Sequence, residues 1–337
     1  MTAPDCRSGF VSRPEAACLS PTGIGNVITI GIVVPCYNEQ EVLPETVSRL
    51  ASLLTRMTER GRITAESGVW LVDDGSKDST WELVRAAARD DARFHGVRLS
   101  RNRGHQNALL AGLDAAKGDA IVTIDADLQD DITVIEKMVE LSIGGSDIVY
   151  GVRRSRAADT LVKRMTAELY YGILKRMGVE VVFNHADYRL MSRRALDALD
   201  RYSEVNLFLR GIIPQLGFTT ATVPYDRAER FAGESKYPMR KMFALAIDGV
   251  TSFSVMPLRL IAVLGLLVCL FSAVMVVWVM YGSLVLHTVI PGWTSSVVPI
   301  YFLGGVQLLS IGVIGEYVGK IYVETKRRPR FLVQEEV

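Results

Sequence analysis

Two aspartates stand two residues apart in Asp125-Ala126-Asp127, directly after the apolar run Ala120-Ile121-Val122-Thr123-Ile124. Carboxylates at that spacing can set oxygens around a hard divalent cation that also binds a diphosphate. Such a cation neutralises charge on a departing phosphate group. The competing reading is structural. In Leu128-Gln129-Asp130-Asp131, which follows, Asp130 or Asp131 caps the N-terminus of the next helix. A second cluster, Asp73-Asp74-Gly75-Ser76-Lys77-Asp78, follows Val69-Trp70-Leu71-Val72. A carboxylate there can accept from a uracil N–H or from ribose hydroxyls, and Gly75 permits a tight turn close to a ligand. A strand-to-helix turn capped by Asp78 or Ser79 would use the same residues.

The elements that must position these groups alternate in type. Val27 to Pro35 is a β-branched run that reads as a buried strand. Helical spacing follows from Glu39 to Leu54, and Val69 to Val72 is a second strand. Thr80 to Ala88 reads as helix, Gly96 to Leu99 as strand, Gln106 to Ala116 as helix, and Ala120 to Ile124 as strand. Ile132 to Ser142 is a further helix and Asp147 to Gly151 a further strand. Strands alternating with helices predict a parallel sheet covered on both faces. Ligands of such sheets bind beyond the carboxyl ends of the strands. Asn38-Glu39, Asp73-Asp74, Asn102 and Asp125-Ala126-Asp127 all fall at those ends. One aspartate after a strand is an ordinary turn residue; four polar clusters on one edge predict a site.

The 337 residues carry a formal net charge of +1, so no global basic field points to nucleic acid. Cys6, Cys18, Cys36 and Cys269 form no CxxC pair, which argues against a zinc site or a disulfide framework. Gly233-Glu234-Ser235-Lys236 lacks the upstream glycine of a P-loop, and Gly23 and Gly25 precede the first strand, so no dinucleotide fingerprint is present. From about Leu260 the composition turns apolar. Leu260–Leu286 is an uncharged run of 27 residues and Val297–Ile314 a second of 18, near the roughly 20 needed to span a bilayer. Arg240, Lys241 and Arg259 precede the first run, Lys320, Lys326, Arg327, Arg328 and Arg330 follow the second, and the loop between has no Lys or Arg. This predicts a multi-pass protein of the inner or plasma membrane with its catalytic domain cytoplasmic. The expected domains are an extension at 1–27, a catalytic domain at 28–238, an interfacial or surface helix at 239–257, a transmembrane hairpin at 258–319 and a basic cytoplasmic tail at 320–337.

Together these pieces resemble the family-2 glycosyltransferases of GT-A fold, specifically the polyprenyl-phosphate glycosyltransferases. The resemblance runs from about Ile28 to Leu332. Its landmarks are Val33-Val34-Pro35-Cys36-Tyr37-Asn38-Glu39, Asp73-Asp74-Gly75-Ser76, Ser100-Arg101-Asn102-Arg103-Gly104-His105-Gln106 and Asp125-Ala126-Asp127-Leu128-Gln129-Asp130. Further on stand Asp187-Tyr188-Arg189-Leu190-Met191, Asn206-Leu207-Phe208-Leu209-Arg210-Gly211, Arg230-Phe231-Ala232-Gly233-Glu234-Ser235-Lys236-Tyr237 and Gly315-Glu316-Tyr317-Val318-Gly319-Lys320. Asp131-Ile132 departs from relatives, which carry one or two prolines there.

The resemblance implies an α/β, Rossmann-like catalytic domain with a mostly parallel sheet, followed by two transmembrane helices. It implies inverting transfer of a sugar, glucose or N-acetylglucosamine, from a UDP-sugar to a polyprenyl phosphate. Pro35, Tyr37, Glu39, Asp74 and Asp125 would line the UDP-sugar pocket. Asp125, Asp127 and Gln129 would hold Mg2+ or Mn2+. Arg153, Arg210, Arg230, Ser235 and Lys236 are the candidates for the acceptor phosphate, and Asp187 would orient the sugar or act as a weak base. Relatives with this two-span tail form homo-oligomers, often tetramers. A processive polysaccharide synthase is the first alternative, but its Gln-x-x-Arg-Trp motif is absent. A catalytically inactive nucleotide-sugar-binding membrane scaffold is the second.

Overall fold

The computed structural model describes residues 27–154, 185–202, 204, 209–226 and 293–337, with 258, 261–268, 270, 271 and 274. Eight strands form one sheet: β1 (Ile30–Cys36), β2 (Gly68–Asp73), β3 (Phe94–Leu99), β4 (Ala120–Thr123), β5 (Ile148–Arg153), β6 (His185–Ser192), β7 (Thr220–Tyr225) and β8 (Val333–Glu336). Their order is β7-β5-β6-β4-β1-β2-β3-β8. The centre is parallel, β4–β1–β2–β3, and all residues of β1, β2 and β4 are buried. Strands covered on both faces read as continuous apolar runs, which is why they are legible in the sequence.

The helices are α1 (Leu43–Glu59), α2 (Thr80–Asp90), α3 (His105–Ala115), α4 (Val134–Ile143), α5 (Arg193–Asp200), α6 (Leu209–Gln215) and α7 (Trp293–Thr325). In α1 Leu43, Leu50, Leu53, Leu54 and Met57 are buried, a stripe at helical spacing. Burying one such leucine contributes roughly 1.5–3 kcal/mol. These residues join Trp81, Val84, Ile135 and Met138 in a core on one face of the sheet. Leu109, Ala111, Leu196, Leu199 and Ile212 build the core of the other face. A Cβ on Gly112 would run into Val33 Cγ1 and lie 2.8 Å from Val72 Cγ2, so glycine lets α3 lie close on β1 and β2.

Two features depart from a simple alternating parallel sheet. β6 runs antiparallel between β4 and β5, so β5 does not pair with β4. The segment expected as a basic tail returns to the catalytic fold, where β8 pairs antiparallel with β3. Val337 and Gly96 exchange backbone bonds of 2.7 and 2.9 Å, and Trp81 Nε1 donates to Glu335 at 3.2 Å. The edge of β3 is thereby paired instead of exposed.

Among the described residues, no helix is both long and apolar enough to cross a membrane. Only parts of the first expected span, Leu260–Leu286, are described, and several side chains of the second, Val297–Ile314, lie outside the described residues. Residues 1–26 of the extension expected at 1–27, and the expected interfacial helix at 239–257, lie outside them as well. The described side chains of these regions are strongly exposed: Val263, Leu266, Leu267, Phe271 and Val274, then Ile300, Leu309, Ile311 and Ile314.

Candidate active site

The carboxyl ends of β1, β2, β3 and β4 meet at one edge, and β6 enters it from the opposite direction. Antiparallel pairing sets Thr123 opposite Arg189. Continued by two residues, that register sets Asp125 opposite Asp187. Thr123 Oγ1 donates to the Asp187 carbonyl at 2.5 Å and fixes the junction. Two aspartates 62 positions apart in the chain thus face one another.

His105 stands between them at the start of α3. Its Nε2 lies 3.5 Å from Asp125 Oδ1 and 3.5 Å from Asp187 Oδ2. Burial disfavours the imidazolium, but the hydrogen bond to Asp187 and the charges of Asp125 and Asp187 outweigh it and raise its pKa above 6.5. Asp187 also accepts from Arg189 Nη2 at 2.7 Å, and from Arg210 Nε at 3.2 Å and Nη2 at 3.0 Å. Burial would raise its pKa, yet His105, Arg210 and Arg189 hold it well below the usual carboxylate range. Arg189 is 1% exposed, and its Nη1 has no hydrogen-bond partner.

Asp125 has the opposite environment. Burial pushes its pKa up to about 6; His105 opposes the rise, while Asp187, Asp130 and Asp127 add to it. Asp127 Oδ1 accepts the Gln129 backbone N–H at 3.2 Å across a tight turn in which Leu128 has a φ of 56°. A left-handed leucine is a strained residue of the kind that clusters at functional sites. Asp130 is buried; it accepts the Tyr225 hydroxyl at 2.5 Å and lies 3.8 Å from Arg153 Nη2. Arg153 is thus engaged with Asp130 and Tyr225.

Asp74 is 3% exposed, and its two oxygens accept the backbone N–H groups of Arg103 at 2.7 Å and Gly104 at 2.8 Å. Burial raises its pKa, with those two amides opposing. Its first task is to hold the turn that presents His105. Gly75, at φ 67°, lies against this turn: a Cβ there would stand 2.7 Å from Arg101 C and Asn102 N. The tight approach expected of Gly75 is made to the neighbouring backbone. On the β1 side, Asn38 at φ 54° accepts the Lys77 N–H at 2.9 Å, and the Glu39 N–H donates to Thr80 Oγ1 at 2.9 Å. Tyr37 is 41% exposed, beside buried Pro35.

The structure therefore joins Arg210 to Asp187 directly and Asp125 to Asp187 through His105, with Asp127, Gln129, Asp74, Pro35, Tyr37 and Glu39 on the same edge. It draws Arg153 to Asp130. Arg230, Ser235 and Lys236 lie outside the described residues. From sequence, His105 and Arg189 carry no assigned role, and Asp130 only that of a helix cap. The signal for His105 was its place directly after the Gly104 turn at the same edge.

Among the described residues, no group of three or more His, Cys, Asp or Glu side chains is set to hold a metal ion. Two carboxylates and one amide oxygen remain a fitting donor set for a hard cation that takes its other ligands from a diphosphate and water. The carboxylates of Asp127, Asp130 and Asp187, which each disfavour a further negative charge at Asp125, fit a cation there as well.

Comparison with known proteins agrees with this picture. Residues 31–200 match the family described as Glycosyl transferase family 2. An uncharacterized glycosyltransferase of Bacillus subtilis, YkoT, is 48% identical over 304 residues, 90% of each chain. The bactoprenol glucosyl transferase of Shigella phage SfV is 40% identical over 311 residues, covering 91% of this chain and 98% of that protein.

Proposed function

The chain belongs to glycosyl transferase family 2, and from that premise we propose that it transfers a hexose from a UDP-sugar to the phosphate of a polyprenyl lipid. The observation that carries this reading is the placement of Asp125 across His105 from Asp187, which grips Arg210. The Asp125 side suits a cation and its diphosphate; the Asp187 side holds Arg210 for a second anion. The 40% identity to a protein named bactoprenol glucosyl transferase, over nearly its whole length, supports the lipid acceptor and a glucosyl donor, for which we take UDP-glucose first. UDP-N-acetylglucosamine is the second donor to try.

Asp125, Asp127 and Gln129 would hold Mg2+ or Mn2+, which when bound supplies charge neutralisation for the diphosphate leaving group. Pro35, Tyr37 and Glu39 would flank the nucleotide, and Asp74 would organise the turn beneath it. A lipid phosphate has a second pKa near 6, by analogy with phosphomonoesters, and is largely ionised at neutral pH, so no strong base is required. The site must instead hold two anions close together. Arg210, oriented by Asp187, would meet the acceptor phosphate, together with Arg230, Ser235 and Lys236. Asp187 is a poor proton acceptor among two arginines and a histidine, so its role is to aim Arg210 and His105. Attack opposite the leaving group inverts the anomeric centre and gives a β-linked product.

The exposed apolar side chains between Val263 and Val274 and along α7 support a membrane hairpin at 258–319. The Lys and Arg flanks support a cytoplasmic catalytic domain. Homo-oligomers, including tetramers, are part of the same proposal.

The test is transfer of radiolabel from UDP-glucose into organic-extractable lipid by the full chain with undecaprenyl phosphate and Mg2+ or Mn2+. Wild type labels the lipid, and Asp127→Ala cuts the rate by about 100-fold or more. Unchanged transfer by Asp127→Ala sinks the metal assignment. UDP binding without transfer from any donor favours the inactive scaffold.

A further inference from the structure

A cavity of about 290 Å³ lies between the Arg103 turn and the end of α7. Arg103, Lys326, Arg328 and Arg330 line it, with Tyr322 and Pro329. The helix ends at Thr325, and Arg327 adopts a φ of 44°, which turns the chain back so that residues 328–330 close the cavity. Left-handed residues commonly terminate helices in this way.

Among the described residues, none of the four cations forms an ion pair with a carboxylate. Arg103 Nε is buried without a hydrogen-bond partner. Lys326 Nζ rests 4.2 Å over the Tyr322 ring, and Arg330 Nη2 donates to the Tyr202 carbonyl. Glu204 feels the charge of Arg330 but does not pair with it. Four like charges around one concavity repel one another, and the arrangement is relieved by a multivalent anion. Arginine forks with an unused N–H suit phosphate oxygens in particular. The volume, near the lower end of that for small-ligand sites, admits a phosphate group with its waters.

We propose that this cavity is a second anion site, which binds a phosphate-bearing group apart from the transfer centre. Among the described residues, its lining side chains are separate from the His105, Arg189 and Arg210 group that meets Asp187. Its link to that centre runs through the backbone. The N–H of Arg103 donates to Asp74 at 2.7 Å, and Asn107 Nδ2 donates to the Arg103 carbonyl at 2.8 Å. A bound phosphate would hold Arg103 from its side chain while Asp74 holds it from its amide, so that occupancy steadies the turn that presents His105. The source of the phosphate is a lipid headgroup or a soluble phosphate, and both offer the same oxygens.

Full-length protein in zwitterionic detergent is titrated with inorganic phosphate in one arm and with mixed micelles containing phosphatidylglycerol in the other. Binding is read by phosphorus NMR line broadening and by thermal stabilisation. The wild type is expected to bind in at least one arm. Lys326→Gln/Arg328→Gln should weaken that binding by about tenfold or more, since two charge-assisted contacts are lost. The charge-preserving exchange Lys326→Arg/Arg328→Lys should keep most of it. The single exchanges Lys326→Gln and Arg328→Gln are read alongside, so an unstable double variant leaves the result intact. Binding of inorganic phosphate assigns a soluble source, and binding confined to phosphatidylglycerol micelles assigns a headgroup; each supports the site. Equal binding by wild type and the glutamine variants, or no binding in either arm, overturns it.

Discussion

Asp187 accepts hydrogen bonds from two arginines and faces a histidine, and one of those arginines is almost wholly buried. Removing its charge therefore acts twice. Asp187→Asn would leave Arg189 buried without its counter-ion, a change that costs about 3–5 kcal/mol in comparable pairs. It would also free Arg210 from its fixed orientation, and transfer should fall by about 100-fold or more. Arg210→Lys separates the two effects. Lysine keeps the charge but loses the two-point grip on Asp187, so stability should change little while the transfer rate falls by at least about tenfold. Thermal unfolding and initial rates on the same preparations check both. An Asp187→Asn protein as stable as wild type would refute the counter-ion account. These residues were only half legible in the sequence. Asp187 and Arg210 stood out within motifs, but Arg189 reads there as a solvated charge, since arginine is rarely buried. Its burial follows from strand pairing that no local pattern reveals.

The strands show the same division between local and long-range information. β1, β2 and β4 are buried on both faces and appear as plain apolar runs. β6 contains His185, Asp187, Arg189 and Ser192, and this mixture hides a strand wedged between two others. β7 contains Pro224 and is half exposed, so it resembled a loop. What binds this half of the sheet is Asp147. Its oxygens meet the Ser192 hydroxyl at 3.0 Å, the Thr219 hydroxyl at 2.8 Å and Arg194 Nη2 at 2.6 Å. One side chain thus ties the start of β5 to the end of β6, to α5 and to the approach to β7. Arg194, then Thr219 and Ser192, lower its pKa below 3.8 against a smaller effect of burial. A carboxylate whose folded pKa is depressed adds stability above its unfolded pKa and loses it as the pH falls through the folded value. Asp147→Asn should cost about 1–3 kcal/mol at neutral pH, mostly from unsatisfied partners, Arg194 being largely exposed. The gap to wild type should narrow once the pH drops below 3.8. Urea unfolding at pH 7 and near pH 3 measures it, and a gap that widens on acidification contradicts the assignment.

At the scale of the whole molecule, the C-terminal segment pairs with the catalytic sheet as β8. The pairing is specific. Ser100 N–H donates to the Leu332 carbonyl at 2.9 Å, Gly96 and Val337 bond in both directions, and Glu335 takes the Trp81 indole N–H and pairs with Arg85. A Cβ on Gly96 would lie 2.7 Å from Val337 Cγ2, so the last residue packs directly on β3. The sequence reading saw only basic charge here, because a four-residue strand carrying two glutamates has no apolar signature. With both ends of the 226–333 region fastened to one sheet, α7 is tethered to the catalytic domain at its far end. In the proposed membrane arrangement, this tether would limit the swing of the hairpin and hold the transfer edge near the bilayer. Removing residues 331–337 should uncover the β3 edge and strand Trp81 Nε1 and Arg85. At about 1 kcal/mol for each of roughly four lost bonds, offset by chain entropy, the loss is about 2–4 kcal/mol. Tm should fall by roughly 5–15 °C, and the exposed edge should promote aggregation. The milder Glu335→Ala should cost about 1 kcal/mol while leaving the strand paired. If the tether matters for function, the truncated protein at a temperature where it remains folded should transfer sugar to a short-chain, water-soluble acceptor at nearly the wild-type rate. Its rate on a bilayer-embedded acceptor should fall, because only that reaction needs the edge held at the membrane. Equal losses on both acceptors would mean that β8 serves stability alone.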